Sequence, residues 1–306
     1  DPWTENTASA TVLRGLGDGR FVSGASFPIE PITSMMLSDI SGDGVLDLLS
    51  ANRDVFGVSV RLGTGNSEFL SAQDYPMEGR PDAFSLGDLD EDGLPDLVIP
   101  SSPDSLSVQL NEGDGVFGEP SAYTSGPEPS SVAIADLDGD GHLDVTVAHS
   151  GNDQVSVFLG LGNGALDEKV DYPSGSSYSV GVADVTADGR LDIVTMLDDD
   201  GVSVLAGRGD GTFAKHQDYL VGHNPLGLTL GDVTDDGQPD IVLFGDAVTV
   251  LHSTPDGLSP YQLEYPTGSE VSMHWLAIGD VDGDAHTDLV VPTYDGTVSV
   301  LLNECR

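Results

Sequence analysis

Cysteine is almost missing from this chain. Cys305 is the only one in 306 residues, so no disulfide forms within the chain and Cys305 is left as a free thiol or an intermolecular link. Lysine is nearly as scarce: only Lys169 and Lys215 occur, against 52 acidic residues, and the formal net charge is −42. A balance of that sign excludes nucleic acid and anionic membrane surfaces as partners, because both are gripped by basic patches. Long hydrophobic runs are absent too, and without 18 consecutive apolar residues no membrane insertion is expected. No stretch sustains a 3.6-residue apolar period, so helices are not expected. The first residues carry no signal peptide, and a secreted chain looks the same after processing.

What the chain does have is glycine, 39 of them, and an acidic nonapeptide that recurs. Its clearest copy, residues 136–144, reads Asp-Leu-Asp-Gly-Asp-Gly-His-Leu-Asp. Acids at positions 1, 3, 5 and 9 with glycine at 6 make up the oxygen-ligand half of an EF-hand loop. In such a loop carboxylates and a position-7 carbonyl converge on a hard cation such as Ca²⁺. The closing glutamate is missing, and the flanks alternate like strands rather than helices. The other copies start at Asp39, Asp88, Asp184, Asp232 and Asp280, in steps of 49, 48, 48, 48 and 48 residues. A fixed period of this size marks a repeat architecture, in which each unit needs its neighbours to bury a core.

Each repeat reads as four strands. In the third, Ser131 to Ala135 enters the acidic loop as strand a, and Asp144 to Ala148 leaves it as strand b. Val155 to Leu159 is strand c, and Lys169 to Tyr172, past a glycine-rich turn, is strand d. Four antiparallel strands repeated radially make a propeller blade, so an all-β, six-bladed β-propeller is expected, with a calcium loop between strands a and b. Six strand-d aromatics (Phe27, Tyr75, Tyr123, Tyr172, Tyr219 and Tyr265) give the same count and are expected to pack blade against blade. Strand c occurs seven times, which leaves the segment at 11–16 surplus. Residues 1–306 are read as one propeller, its ring closed by the N-terminal outer strand of segment 11–28 against C-terminal strands of 275–303. A seven-bladed ring or an open arc is the alternative.

In register, the expected side-chain ligands are Asp39, Ser41, Asp43 and Asp47; Asp88, Asp90, Asp92 and Asp96; Asp136, Asp138, Asp140 and Asp144. The remaining loops offer Asp184, Thr186, Asp188 and Asp192; Asp232, Thr234, Asp236 and Asp240; Asp280, Asp282, Asp284 and Asp288. Carbonyls of Val45, Leu94, His142, Arg190, Gln238 and His286 fill position 7. Carboxylates about 5 Å apart repel by roughly 3 kcal/mol per pair at an effective dielectric near 20. Repeated six times without a counter-ion, that would strain a fold whose stability is on the order of 10 kcal/mol. Up to six structural Ca²⁺ ions are therefore expected, bound weakest where Ser or Thr stands at position 3 or Ala285 replaces the glycine. Loops of this type commonly work at extracellular calcium levels, which places the chain outside the cell.

The loops between strands, together with Val202 to Phe213 (Val-Ser-Val-Leu-Ala-Gly-Arg-Gly-Asp-Gly-Thr-Phe), resemble the FG-GAP, or VCBS, repeat family. That family includes the integrin α-subunit propeller and the fungal lectin of Psathyrella velutina. The resemblance implies a propeller and leaves function open, because propellers host many activities.

On the face opposite the acidic loops, five residues before each loop, stand Ser34, Ala83, Ser131, Ser179, Gly227 and Trp275. One position earlier come Thr33, Asp82, Ser130, Tyr178, Leu226 and His274. Convergence at a channel mouth favours small side chains, so Trp275, His274 and Tyr178, with Asp82, are the candidate ligand contacts, or else Trp275 plugs the channel. Tyr294, Phe56, Arg53 and His149 read as ordinary surface. No nucleophile elbow, zinc helix or phosphate loop is present. The expected role is a secreted module binding a glycan or an extracellular protein; a polysaccharide hydrolase or lyase is the alternative.

Overall fold

The computed structural model describes residues 8–52, 56–77, 79–175, 177–197, 201–221, 225–245, 247–254, 257–265, 276–292 and 297–303. Every regular element among them is a strand. A hairpin of β1 (Ala8–Gly15) and β2 (Phe21–Ile29) comes first. Blade one is β3 (Ile32–Ser38), β4 (Asp47–Asn52), β5 (Gly57–Arg61) and β6 (Gln73–Pro76). Blade two is β7 (Ser85–Gly87), β8 (Asp96–Ser101), β9 (Ser105–Gln109) and β10 (Ser121–Thr124). Blade three is β11 (Pro129–Ala135), β12 (Asp144–His149), β13 (Gln154–Phe158) and β14 (Val170–Pro173). Blade four is β15 (Ser177–Ala183), β16 (Asp192–Leu197), β17 (Gly201–Leu205) and β18 (Gln217–Leu220). Blade five is β19 (Pro225–Gly231), β20 (Asp240–Gly245), β21 (Val248–Thr254) and β22 (Gly257–Tyr265). Blade six is β23 (Ala277–Gly279), β24 (Asp288–Pro292) and β25 (Val298–Leu301).

Strands within a blade pair antiparallel in sequence order, and the blades form a six-bladed β-propeller as the six acidic loops implied. Blades one to five have four strands each, and the sixth has three among the described residues. The surplus N-terminal strand finds its place in β1, which pairs with β2 in a two-stranded sheet of its own. That hairpin touches both ends of the blade series. Gly19 in its turn donates its N–H to Val281 O (3.2 Å) in the last acidic loop, as Gly164 does to Leu89 O (2.9 Å) between blades two and three. On its other side Phe27 stands edge-on to Phe69 of blade one, 5.6 Å between ring centres, with the Arg61 guanidinium over its ring. No ladder joins β2 to β25 among the described residues.

The core lies between blades rather than inside them. In blades one to five, strands b and c are covered on both faces, so alternate residues serve different interfaces. Leu97 and Ile99 of β8 join Leu49, Val58 and Val60 of blade one, whereas Val98 joins Val145 and Val147 of blade three. The Val-Ser-Val pattern of strand c has the same origin. Val58 and Val60 point into one interface, and the buried Ser59 hydroxyl between them donates to Asp74 on strand d. Four of the strand-d tyrosines pack across the interface, as their spacing suggested: Tyr75 on Phe117 (5.5 Å), Tyr123 on Phe158 (6.1 Å), Tyr172 on Phe213 (5.3 Å) and Tyr219 in the cluster of Ile241 and Leu243, whereas Tyr265 is exposed. Truncating Phe213, 4% exposed, removes buried ring surface and leaves a cavity shared by two blades. Phe213→Ala is expected to cost about 3–5 kcal/mol, measured by urea denaturation.

Candidate functional site

Each acidic loop is a compact knot of carboxylates accepting backbone N–H groups. The position-6 N–H donates to the position-1 carboxylate in all six: Gly44 to Asp39 (2.8 Å), Gly93 to Asp88 (2.9 Å), Gly141 to Asp136 (3.0 Å), Gly189 to Asp184 (2.7 Å), Gly237 to Asp232 (2.8 Å) and Ala285 to Asp280 (3.0 Å). The position-7 N–H groups of Val45, Leu94, His142, Arg190, Gln238 and His286 donate to Asp43, Asp92, Asp140, Asp188, Asp236 and Asp284. Tight coiling demands left-handed backbone at both position 4 and position 6. Position 4 was not legible, because Glu91, Ala187 and Asp235 adopt it without being glycine (φ 63°, 57° and 57°). Position 6 is glycine in five loops, and the sixth holds Ala285 at φ 72°. No atom outside its chain neighbours crowds the glycine there in loops such as Gly141, so the requirement is φ alone.

The position-9 aspartates do more than the sequence assigned them. Asp47, Asp96, Asp144, Asp192, Asp240 and Asp288 are buried. One oxygen of each accepts an N–H from the C-terminal end of strand c of its own blade or just beyond it, at 2.7–3.0 Å: Gly63, Asn111, Gly160, Gly207, Ser253 and Asn303. The other oxygen accepts an N–H from position 2 or 3 of the loop, as in Leu137 to Asp144 (2.7 Å). Burial pushes the Asp96 carboxyl up to about 6, with Asp90 and Asp92 adding to the rise. Asp144, Asp192 and Asp240 are raised for the same first cause.

Positions 1, 3 and 9 converge wherever position 3 is acidic. Oxygens of Asp88, Asp90 and Asp96 lie within 4.8 Å of one another, as do those of Asp136, Asp138 and Asp144, and of Asp280, Asp282 and Asp288. The position-5 acids are not members of these groups; they are turned to the position-7 N–H instead. In the fourth and fifth loops the position-3 hydroxyls, Thr186 Oγ1 and Thr234 Oγ1, are buried without a hydrogen bond of good geometry. All-oxygen donor sets that gather two more accessible carboxylates around a buried one fit a hard divalent cation. Neighbouring loops are also tied by side chains: His142 to Glu91 and His286 to Asp235.

On the opposite face a cavity of about 680 Å³ opens at the mouth of the channel. Thr33, Ser34, Asp82, Ala83, Ser130, Ser131, Tyr178, Ser179, Leu226 and Gly227 all line it. The hydroxyls stitch blades together: Thr33 Oγ1 donates to Pro81 O (2.9 Å) and Ser130 Oγ to Ser177 O (3.1 Å). Tyr178 is 52% exposed, and Arg80 Nε lies 3.4 Å from Asp82 Oδ1. Trp275 and His274 lie outside the described residues, as do Arg53 and Tyr294.

The family is now decided. The FG-GAP-like repeat matches residues 39–99, 88–147, 136–195, 184–243 and 232–291, every match beginning at position 1 of an acidic loop. The chain belongs to the FG-GAP-like repeat family. No curated protein matches it. Among solved structures this propeller is similar to BBS1N in complex with ARL6DN, soaked with mercury, at 17% identity and a TM-score of 0.62, over 90% of this chain and 79% of that one. The lead-soaked form of the same complex gives 16% identity and a TM-score of 0.63, over 90% and 80%. At such identities the likeness is one of fold.

His149 is not the surface residue its b-to-c position suggested. It is 1% exposed, because β12 runs one residue further than the alternation marked, and its Nε2 meets Ser156 Oγ (2.9 Å), which in turn donates to Asp171 (2.6 Å). Asn52, Ser59 and Asp74 form the same relay in blade one, so the signal was a shared register with Asn52. Phe56, by contrast, is exposed at φ 47°.

Two outcomes follow from this geometry. Ala285→Gly relieves the left-handed strain and should stabilise the protein by about 1 kcal/mol in chemical denaturation. Burial, with Lys169 nearby, holds the His149 imidazole down at about 4, so the folded state prefers it neutral. Its contribution is complete above the unfolded value near 6.5 and falls as pH drops toward 4, by on the order of 3 kcal/mol. His149→Asn, which copies the blade-one relay, should flatten that part of the stability–pH profile.

Proposed function

We propose that this protein is a secreted, non-catalytic binding module, braced by calcium at its acidic loops, that engages a polypeptide at the channel mouth. The observation that carries the reading is the cavity itself. It is walled by hydroxyls already engaged in joining blades, and its lining includes one half-exposed aromatic, Tyr178, and the Arg80–Asp82 pair. An exposed tyrosine with a charged pair at the rim of a concave surface suits a protein partner. The solved neighbours, complexes of BBS1N with ARL6DN, support a protein over a glycan as the ligand. The glycan alternative rests on Trp275 and His274, outside the described residues.

Calcium would be held by positions 1 and 3 of each loop, with the position-9 carboxylate completing the acidic groups. Its charge would offset the burial of Asp96 and the like charges of Asp90 and Asp92 that add to its rise. Sites of this kind fill at the calcium levels found outside cells, which is the basis for placing the protein there.

A peptide display library selected on the protein in calcium tests both halves. Selected peptides should lose about tenfold in affinity to Tyr178→Ala, and calcium should raise the melting temperature, less so in Asp138→Asn. Glycan-array binding that Tyr178→Ala leaves intact would refute the partner class. A melting temperature indifferent to calcium would refute the bracing.

A further inference from the structure

In blades one to four, a side chain from the c-to-d turn closes the outer end of an interface. Phe69, Phe117, Leu166 and Phe213 hold the same bridge position in that turn, opposite Gly63, Asn111, Gly160 and Gly207. Phe117 stands on Tyr75 and Phe213 on Tyr172. Between blades two and three leucine replaces the ring. Leu166 donates its N–H to Tyr123 Oη (3.1 Å), and Tyr123 meets Phe158 of strand c edge-on instead. A cavity of about 460 Å³ opens there, walled by Tyr123, Phe158 and Leu166 and rimmed by Asp167 and Glu168. Both carboxylates are exposed, and no lysine or arginine pairs with either among the described residues; Lys169 beside them turns its ammonium to Asp171. All the lining residues lie between Tyr123 and Lys169, in the middle of the chain.

We propose that this cavity receives an arginine side chain from a basic, extended segment of a partner protein that lies along β10. A guanidinium stacks flat on an aromatic face and forks onto carboxylates, and Tyr123 with Asp167 and Glu168 offers both surfaces together. The protein already seats one arginine in this way. Arg61 occupies in β5 the register position that Phe158 holds in β13, and its guanidinium lies over the ring of Phe27, 5.4 Å from the ring centre. The approach along β10 is open as well. β10 is the outermost strand of its sheet, and its sequence Ser-Ala-Tyr-Thr contains neither a charged residue nor a proline. The outer strands β6, β14, β18 and β22 each carry an acidic residue, and β6, β14 and β22 a proline too, devices that keep an edge from pairing.

Charge chooses the occupant. With 52 acidic residues against 10 lysines and arginines, the chain attracts a basic partner and repels a second copy of itself. It holds no basic segment of its own either, since the closest pair of lysines or arginines, Arg14 and Arg20, stands six positions apart. The cavity shares no lining residue with the channel mouth, so it is a site beyond the function proposed above.

The test is the fluorescence anisotropy of a labelled peptide, Ser-Thr-Val-Arg-Val-Lys-Ser, titrated with the intact protein at about 0.15 M salt, where long-range attraction is screened. Saturable 1:1 binding is expected, about tenfold weaker when citrulline, uncharged and of the same shape, replaces the arginine. Asp167→Asn combined with Glu168→Gln should weaken it by about the same factor. Leu166→Phe, which copies Phe117 and Phe213 and fills the cavity, should abolish binding at unchanged net charge, which separates this site from general attraction to acid. Tyr178→Ala should leave binding unchanged, so failure here is distinct from failure at the channel mouth. If Leu166→Phe does not fold, the citrulline peptide and the carboxylate variant decide. No saturation by about 1 mM protein, equal binding by the citrulline peptide or the carboxylate variant, full binding by folded Leu166→Phe, or loss on Tyr178→Ala would each overturn the proposal.

Discussion

A blade of this protein has no inside. In blades one to five, strands b and c are buried on both faces, yet each face is buried only by the next blade, so the apolar contact between blades is the constraint on which everything else rests. Leu97 and Val98, adjacent in one strand, belong to different cores. That arrangement explains why valine alternates with serine on strand c and why the turn aromatics reach across rather than back. It also explains why a repeat of about 48 residues has no stable existence alone.

The acidic loops serve the same constraint from one end of the ring. A carboxylate at position 9 lies in nearly dry surroundings and is tolerated because two backbone N–H groups meet it, one from its own loop and one from the c-to-d turn. The turn so held is the one that delivers Phe117, Leu166 or Phe213 into the neighbouring interface. Loop geometry and core packing are therefore coupled through a single side chain. Burial raises the proton affinity of the position-9 carboxylate at Asp96, the nearby charges of Asp90 and Asp92 add to it, and a divalent cation would offset both.

At the other end, convergence rather than charge governs. Inner strands crowd toward the axis, so small hydroxyl side chains prevail and their hydrogen bonds run from blade to blade. Tyr178 departs from that rule and is half exposed at the cavity.

Periodicity made the all-β class, the six blades, the strand order and the loop residues legible in advance, because each depends on residues close together in the chain. Positions 1, 5 and 6 of the loops bond within a few residues, and Ala285 could be read as strained before its φ was known. The left-handed backbone at Glu91, the burial of His149 and the two-stranded sheet of β1 with β2 were not legible. The double duty of Asp144 belongs with them, for its second partner, Gly160, is 16 residues away. The cavity beside Tyr123, between the second and third blades, is of the same kind. Whether a given interface is filled depends on which side chains meet from distant parts of the ring, and only the closed three-dimensional arrangement brings them together.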